Sequence, residues 1–174
     1  SSWELALRLQ LAAVAREAWL LGRGLEPLFS YSDGRTFRVA VRMRQRIRSG
    51  EEQQLGFVPR CERCGDQAVQ AMLDLQGWRP CACTDGCGRW AVSGPLWIGP
   101  LQNVSAINGL LEISDRLDAG FTSRLDAGLS ARLSEGQDQT LAPRSRRMLE
   151  GLLADPGQPA CCWSTAELSR RLQL

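Results

Sequence analysis

Apolar residues at Trp3, Leu7, Leu11, Val14, Ala18 and Leu21 recur at three- and four-residue steps, which predicts a helix over Ser1 to Leu21. Ser1 and Glu4 have capping-box spacing at its start, and Gly22 and Gly24 stop it. The period then changes to two. Phe37, Val39, Val41 and Met43 alternate with Arg38, Ala40, Arg42 and Arg44, so Glu26 to Ser32 and Arg35 to Met43 read as strands joined at Asp33-Gly34. One face of that hairpin is apolar and the other carries a file of guanidinium groups, prolonged by Arg46 and Arg48 if the chain stays extended. Such a file can follow a nucleic-acid backbone or can simply be a solvated face.

The pattern breaks at Arg48-Ser49-Gly50-Glu51-Glu52, polar and without period, where a domain boundary is expected. Leu55 to Pro59 and Trp90 to Ser93 are short strands on either side of a cysteine-rich stretch. Gly94 to Leu101 is too interrupted by glycine and proline for a strand and reads as a packing turn with a buried Trp97. Asn103 to Ile113 is a short helix, and Ser114 to Ser134 an interrupted helical stretch in which Arg-Leu-Asp-Ala-Gly occurs twice. Gly136 to Thr140 is loop. Arg144 to Ala154 is a helix with Arg144, Arg146 and Arg147 at the end where the dipole disfavours cations. After a turn at Asp155 to Pro159, Ser164 caps a last helix running to Leu172. Cys161-Cys162 reads as a pair of small buried apolar residues.

Composition narrows the class. The net charge of +2 is too small to argue for nucleic acid, but all 21 basic residues are arginine, a bias that suits bidentate phosphate contacts and that genomic base composition equally produces. No apolar run approaches a membrane span, and no targeting segment is visible. The chain begins without methionine and ends without a stop signal, so it is expected to be a piece of a longer protein.

The seven cysteines cluster at knuckle spacing, which favours a metal site in a reducing compartment such as the cytoplasm over a disulfide scaffold. Cys61-Glu62-Arg63-Cys64-Gly65 and Cys81-Ala82-Cys83-Thr84-Asp85-Gly86-Cys87-Gly88 suit one structural zinc ion, which takes four thiolates in a tetrahedron. The chain has no histidine, so the set must be all cysteine. Cys61, Cys64, Cys83 and Cys87 are the expected ligands. Cys81 is the replacement candidate, its side chain being expected to point away from that of Cys83. The strands around the pair make a zinc-ribbon-like unit over residues 55–101, which a metal lets fold with little core.

These residues together resemble the tRNA (guanine-26-N2)-dimethyltransferase family. Glu4-Leu5-Ala6-Leu7-Arg8 with Ala15-Arg16 is similar to its Glu-Leu-Gly-Leu-Arg helix. Pro27-Leu28-Phe29-Ser30-Tyr31 and Phe37-Arg38-Val39-Ala40-Val41-Arg42 resemble its hairpin. Gly94-Pro95-Leu96-Trp97-Ile98-Gly99-Pro100-Leu101 after a Cys-Gly knuckle is the most specific match, and Trp163 to Leu172 resembles the family's closing turn and helix. Arg35-Thr36 departs from the family's His-Tyr, and its Asp-Pro-Phe-Gly motif, Gly-rich loop and ribose-binding carboxylate are absent.

The resemblance implies an α+β chain. Residues 1–48 would be the closing helix and hairpin of a Rossmann-like methyltransferase domain, and 49–174 a small α+β tRNA-binding domain with the zinc-ribbon-like element. It implies S-adenosylmethionine as the parent's cofactor, tRNA and the upstream methyltransferase domain as partners, no membrane, and no catalytic residue within these positions. Arg38, Arg42, Arg44, Arg46, Arg144, Arg146 and Arg147 are the candidate RNA contacts. The competing expectation is a non-catalytic zinc-ribbon module that binds RNA or protein.

Overall fold

The computed structural model describes the chain except residues 1, 75, 84, 86–87, 126–142, 156, 162, 164–168, 170–171 and 174, and except the side chains of 2, 117–125 and 143–144. Its chain forms two units, one of Ser1–Leu101 with Gly157–Leu174 and one of Gln102–Pro156. The boundary expected at 48/49 falls inside the first.

In the first unit, helix α1 (Ser2–Leu20) forms as the periodicity predicts. It closes in a Schellman arrangement, Gly22 N–H donating to Trp19 O and Arg23 N–H to Ala18 O. Its buried row is rotated from the expected one. Leu7, Arg8, Leu11, Ala12, Ala15 and Ala18 face inward, while Trp3 and Leu21 are 50% and 77% exposed. The rotation puts an arginine at the centre of the buried face. Arg8 is tolerated there because its guanidinium donates to the carbonyls of Trp97 (2.9 Å), Gly99 (3.0 Å) and Gly157 and pairs with Glu4 at 2.7 Å.

Strands β1 (Gly24–Ser32) and β2 (Phe37–Arg44) form the expected hairpin, but Phe37 and Met43 of the expected apolar face are 38% and 50% exposed. Their connection is a four-residue loop, not the tight two-residue turn of the sequence reading. Asp33 Oδ1 accepts the backbone N–H groups of Arg35 (2.9 Å) and Thr36 (2.8 Å) and so replaces the missing strand pairing. Val39 and Val41 pack with α1, Leu25, Leu55, Trp97 and Leu101 in one core cluster. The strand ends at Arg44, so Arg46 and Arg48 do not extend the guanidinium file.

The polar segment after β2 contributes an anchor. A 3-10 turn, Glu51–Gln54, buries Glu51, whose carboxylate accepts from Trp19 Nε1 (2.8 Å), Leu25 N–H (2.6 Å) and Arg44. Arg48 N–H donates as well (3.2 Å). Acidic residues in a polar run look like surface, and only the fold brings these donors to this one.

Strand β3 (Leu55–Cys61) lies between β4 (Gln70–Ala71) and β5 (Trp90–Trp97), both antiparallel to it. β5 corrects the expected packing turn, because it runs through Gly94 and Pro95. Val58 pairs with Ser93 and Gly56 with Leu96, so these two residues lie at a bulge opposite Phe57. A bulge accommodates the N–H that proline lacks. Trp97 is buried as expected. Val58, Leu96 and Ala160 make a second core cluster.

The second unit pairs α2 (Val104–Leu125) with α3 (Pro143–Ala154). Helix α2 is continuous through residue 113, where the sequence suggested a short helix and then an interrupted one. The final helix, the Gly136 to Thr140 loop and Cys162 lie wholly or largely outside the described residues. No helix among the described residues is long and apolar enough to cross a membrane.

Candidate metal centre and arginine surfaces

The centre is built at the ends of β3 and β5. Cys61 is the last residue of β3, and the chain turns at once: Gly65 N–H donates to Cys61 O (2.9 Å) with Gly65 in the left-handed region at φ 71°. That turn carries Cys64 back beside Cys61. The second arm arrives through Asp66, whose carboxylate takes both terminal nitrogens of Arg79 (2.9 and 3.0 Å) and the N–H of Ala82 (3.1 Å). Arg79 lowers the Asp66 pKa first among its causes, and its own guanidinium lies 6.0 Å from the centre of the Trp90 ring. Arg63 and Asp85 join the two arms at 2.7 Å.

The result is four sulfurs, of Cys61, Cys64, Cys81 and Cys83, all within 4.8 Å of one another. The Cys61 and Cys83 sulfurs are 3.8 Å apart. A tetrahedral zinc with about 2.3 Å bonds to sulfur requires an edge of about 3.8 Å, whereas a disulfide is about 2.05 Å. Gly88 closes over the group. A Cβ there would fall far inside contact distance of the Cys61 and Cys81 sulfurs and 3.2 Å from that of Cys83. The geometry therefore fits a metal ion, and these four residues could hold one.

Of the expected ligands, Cys61, Cys64 and Cys83 come together, and Cys87 lies outside the described residues. Cys81 joins the group, against the expectation that it and Cys83 point apart. The expectation misjudged the spacing, because residues two apart on an extended segment point to the same face and can share an ion. The sulfurs share protons unequally. The backbone N–H of Cys64 is the largest influence drawing the Cys61 thiol down to about 6, with Arg63 N–H and the Cys64 and Cys81 thiols assisting against burial. Cys83 is pushed up, first by its hydrogen bond with Cys81 and then by burial. Cys161 is not in this group, and burial raises its thiol pKa.

The candidate RNA residues divide. Arg38, Arg42 and Arg46 are exposed. Arg44 is 17% exposed and turned to Glu51 and the Leu25 carbonyl. In the second unit Arg146 joins α3 to α2 through Asp115 (2.6 Å) and pairs with Glu150 (3.1 Å), while Arg147 is exposed. The Arg144 side chain lies outside the described residues. Residues missed by sequence reasoning are Arg8, Glu51, Asp66, Arg79 and Gly88. Gly88 had a signal as the second half of a repeated Cys-Gly pair, and Arg8 had one as the last residue of the Glu4 to Arg8 motif.

Comparison with known proteins adds the identity of the chain. A tRNA (guanine(26)-N(2))-dimethyltransferase of Methanocorpusculum labreanum is 34% identical over 102 residues, 57% of this chain and 26% of that protein. One of Saccharolobus islandicus is 31% identical over 116 residues, 64% of this chain and 29% of that protein. The chain thus matches less than a third of the length of either. The structure of Trm1 from Pyrococcus horikoshii with S-adenosyl-L-methionine shares the fold, with TM-score 0.63 at 18% identity over 96% of this chain and 37% of that one. Residues 1–152 match the family described as N2,N2-dimethylguanosine tRNA methyltransferase. The chain belongs to that family.

Proposed function

We propose that the intact protein transfers methyl groups from S-adenosylmethionine to guanine N2 in tRNA, and that these residues bind and position the tRNA. The match to the family across residues 1–152 carries this reading. The residues present offer no Gly-rich loop or ribose-binding carboxylate, so the cofactor pocket is assigned to a Rossmann-like domain upstream, of which α1, β1 and β2 are the closing elements. S-adenosylmethionine supplies an electrophilic methyl group. The chain's own contribution is to hold tRNA so that the target amine meets that methyl in line at about 3–3.5 Å, where positioning supplies much of the rate. The guanine leaves its stack to be reached.

The metal in this reading is one structural zinc held by Cys61, Cys64, Cys81 and Cys83 in a ribbon-like sheet. A four-thiolate set closed by Gly88 has no open position for catalysis. Its role is to hold β3 against β5. Exposed Arg38, Arg42, Arg46 and Arg147 are the RNA contacts we favour. Arg44 is engaged inward, and Arg146 is taken up by Asp115 and Glu150. The protein acts where tRNA is modified, in the cytoplasm.

Incubating the intact protein with unmodified tRNA transcript and labelled S-adenosylmethionine tests the activity. Label in N2-methylated guanosine is expected with the intact protein, and none with residues 1–174 alone. No label with the intact protein sinks the proposal, and label with residues 1–174 alone sinks the division of labour.

A further inference from the structure

Asp66 touches both arms of the cysteine group. Its backbone carbonyl accepts the N–H of Cys61 at 2.8 Å, and its carboxylate accepts the N–H of Ala82, between Cys81 and Cys83, at 3.1 Å. Arg79 closes the same point from the other side. Its two terminal nitrogens meet the two Asp66 oxygens, and they donate as well to the carbonyls of Gln67 (2.9 Å) and Pro80 (3.2 Å). Its guanidinium rests against Trp90, which pairs with Cys61 across β3 and β5. The position of the pair along the chain matters. Cys64 and Cys81 are 17 positions apart, and Asp66 and Arg79 each lie two residues inside them. Joining Asp66 to Arg79 therefore leaves each of these thiolates two residues from a fixed point instead of at the ends of an open loop.

We infer that Asp66 and Arg79 form a clasp that governs how long the site keeps its zinc. The inference rests on the reading of Cys61, Cys64, Cys81 and Cys83 as a zinc site, and it assigns release of the ion to two side chains outside the ligand set. Zinc leaves such a site when its thiolates let go in turn and the arms part. A thiolate that detaches while the clasp is closed stays beside its partners at high effective concentration and rebinds. Once the clasp opens, Cys81 and Cys83 leave with their loop. A bidentate arginine–carboxylate pair suits the task because it fixes direction as well as distance. The Arg63–Asp85 pair also links the arms, but through one 2.7 Å contact between side chains 65% and 50% exposed, where an ion pair contributes little. Asp66 is 15% exposed.

The test follows transfer of zinc from the intact protein to an excess of a chromophoric chelator. Asp66→Ala and Arg79→Gln are each expected to release zinc about tenfold faster, the lower end of what partners outside a ligand set contribute. Arg79→Lys, which keeps the charge but not the fork, is expected to fall between Arg79→Gln and wild type. Arg63→Gln is expected to stay within about twofold of wild type. Asp66→Ala with Arg79→Gln should show less than the product of the two single effects, because both act through one contact. In cobalt-substituted protein, the absorption bands of a four-thiolate site should be the same in every variant, since no ligand changes. In the metal-free protein the urea midpoint should not move, because the sheet there lacks the metal on which its formation depends. Release at the wild-type rate in Asp66→Ala overturns the clasp, as do single effects that multiply in the double variant. Altered cobalt bands would show a lost ligand, and a lower urea midpoint without metal would show general damage to the fold; either overturns it too. Wild-type protein that carries no zinc fails at the earlier reading, which separates the two.

Discussion

Glu51 shows how much of this structure depends on single polar residues set inside it. Burial is the largest influence on its carboxyl and raises the pKa, yet donation from Trp19, Leu25 N–H, Arg48 N–H and Arg44 leaves it below its usual value. The carboxylate therefore joins α1, β1 and β2 as an ion. Its contribution is complete above the unfolded carboxyl pKa of about 4.3 and is lost as pH falls through the lower folded value. Glu51→Ala would leave Arg44 and three other donors short of a partner, at a cost of about 3 kcal/mol. Urea denaturation at neutral pH measures this. With Glu51→Gln, the gap from wild type should be constant from about pH 8 to 5 and shrink below about pH 4. A gap independent of pH would show that the carboxylate is not held as an ion.

At the scale of elements, the β4–β3–β5 sheet is too slight to stand on its own contacts, since β4 has only two residues. Site formation and folding in such a unit are one equilibrium. Serine at Cys61, Cys64, Cys81 or Cys83 is expected to abolish stoichiometric zinc and the amide protection of β3 and β5. Cys87→Ser is expected to keep both. Zinc retained by Cys81→Ser and lost by Cys87→Ser would restore the ligand set first read from the spacing. Gly88→Ala should release zinc as cysteine removal does, because the added methyl would occupy the sulfurs' space. Gly77→Ala, where nothing lies within 4 Å, should be silent. Metal analysis and hydrogen exchange read both results.

For the molecule as a whole, Arg8 is the link between distant stretches of the first unit. It reaches from α1 to the end of β5, to Gly99 and to Gly157, contacts spanning up to 149 positions of sequence. Arg8→Met keeps much of the apolar stem but leaves three carbonyls without their donor. A loss of about 3 kcal/mol is expected. Because the link spans the 48/49 boundary, α1 amides and β5 amides should lose protection together in hydrogen exchange. Loss confined to α1 would show that the two parts open independently.

Much of this was legible in the sequence because it is local chemistry. The 3.6-residue period defines α1, the two-residue period defines β1 and β2, and the Cys-x-x-Cys-Gly turn brings two sulfurs together within five residues. The Gly94 to Leu101 motif and the hairpin carried the family resemblance without any knowledge of packing. What the tertiary structure alone decided depends on partners far along the chain. Arg8 and Glu51 look like surface charges until carbonyls and N–H groups from other elements surround them. Arg44 and Arg146 look like their exposed neighbours until Glu51 and Asp115 take them. Cys81 and Cys83 converge because Asp66, Arg79 and Ala82 set the path of a loop that no local period describes. Period and spacing are properties of neighbours, whereas the pairing of a buried charge is a property of the fold.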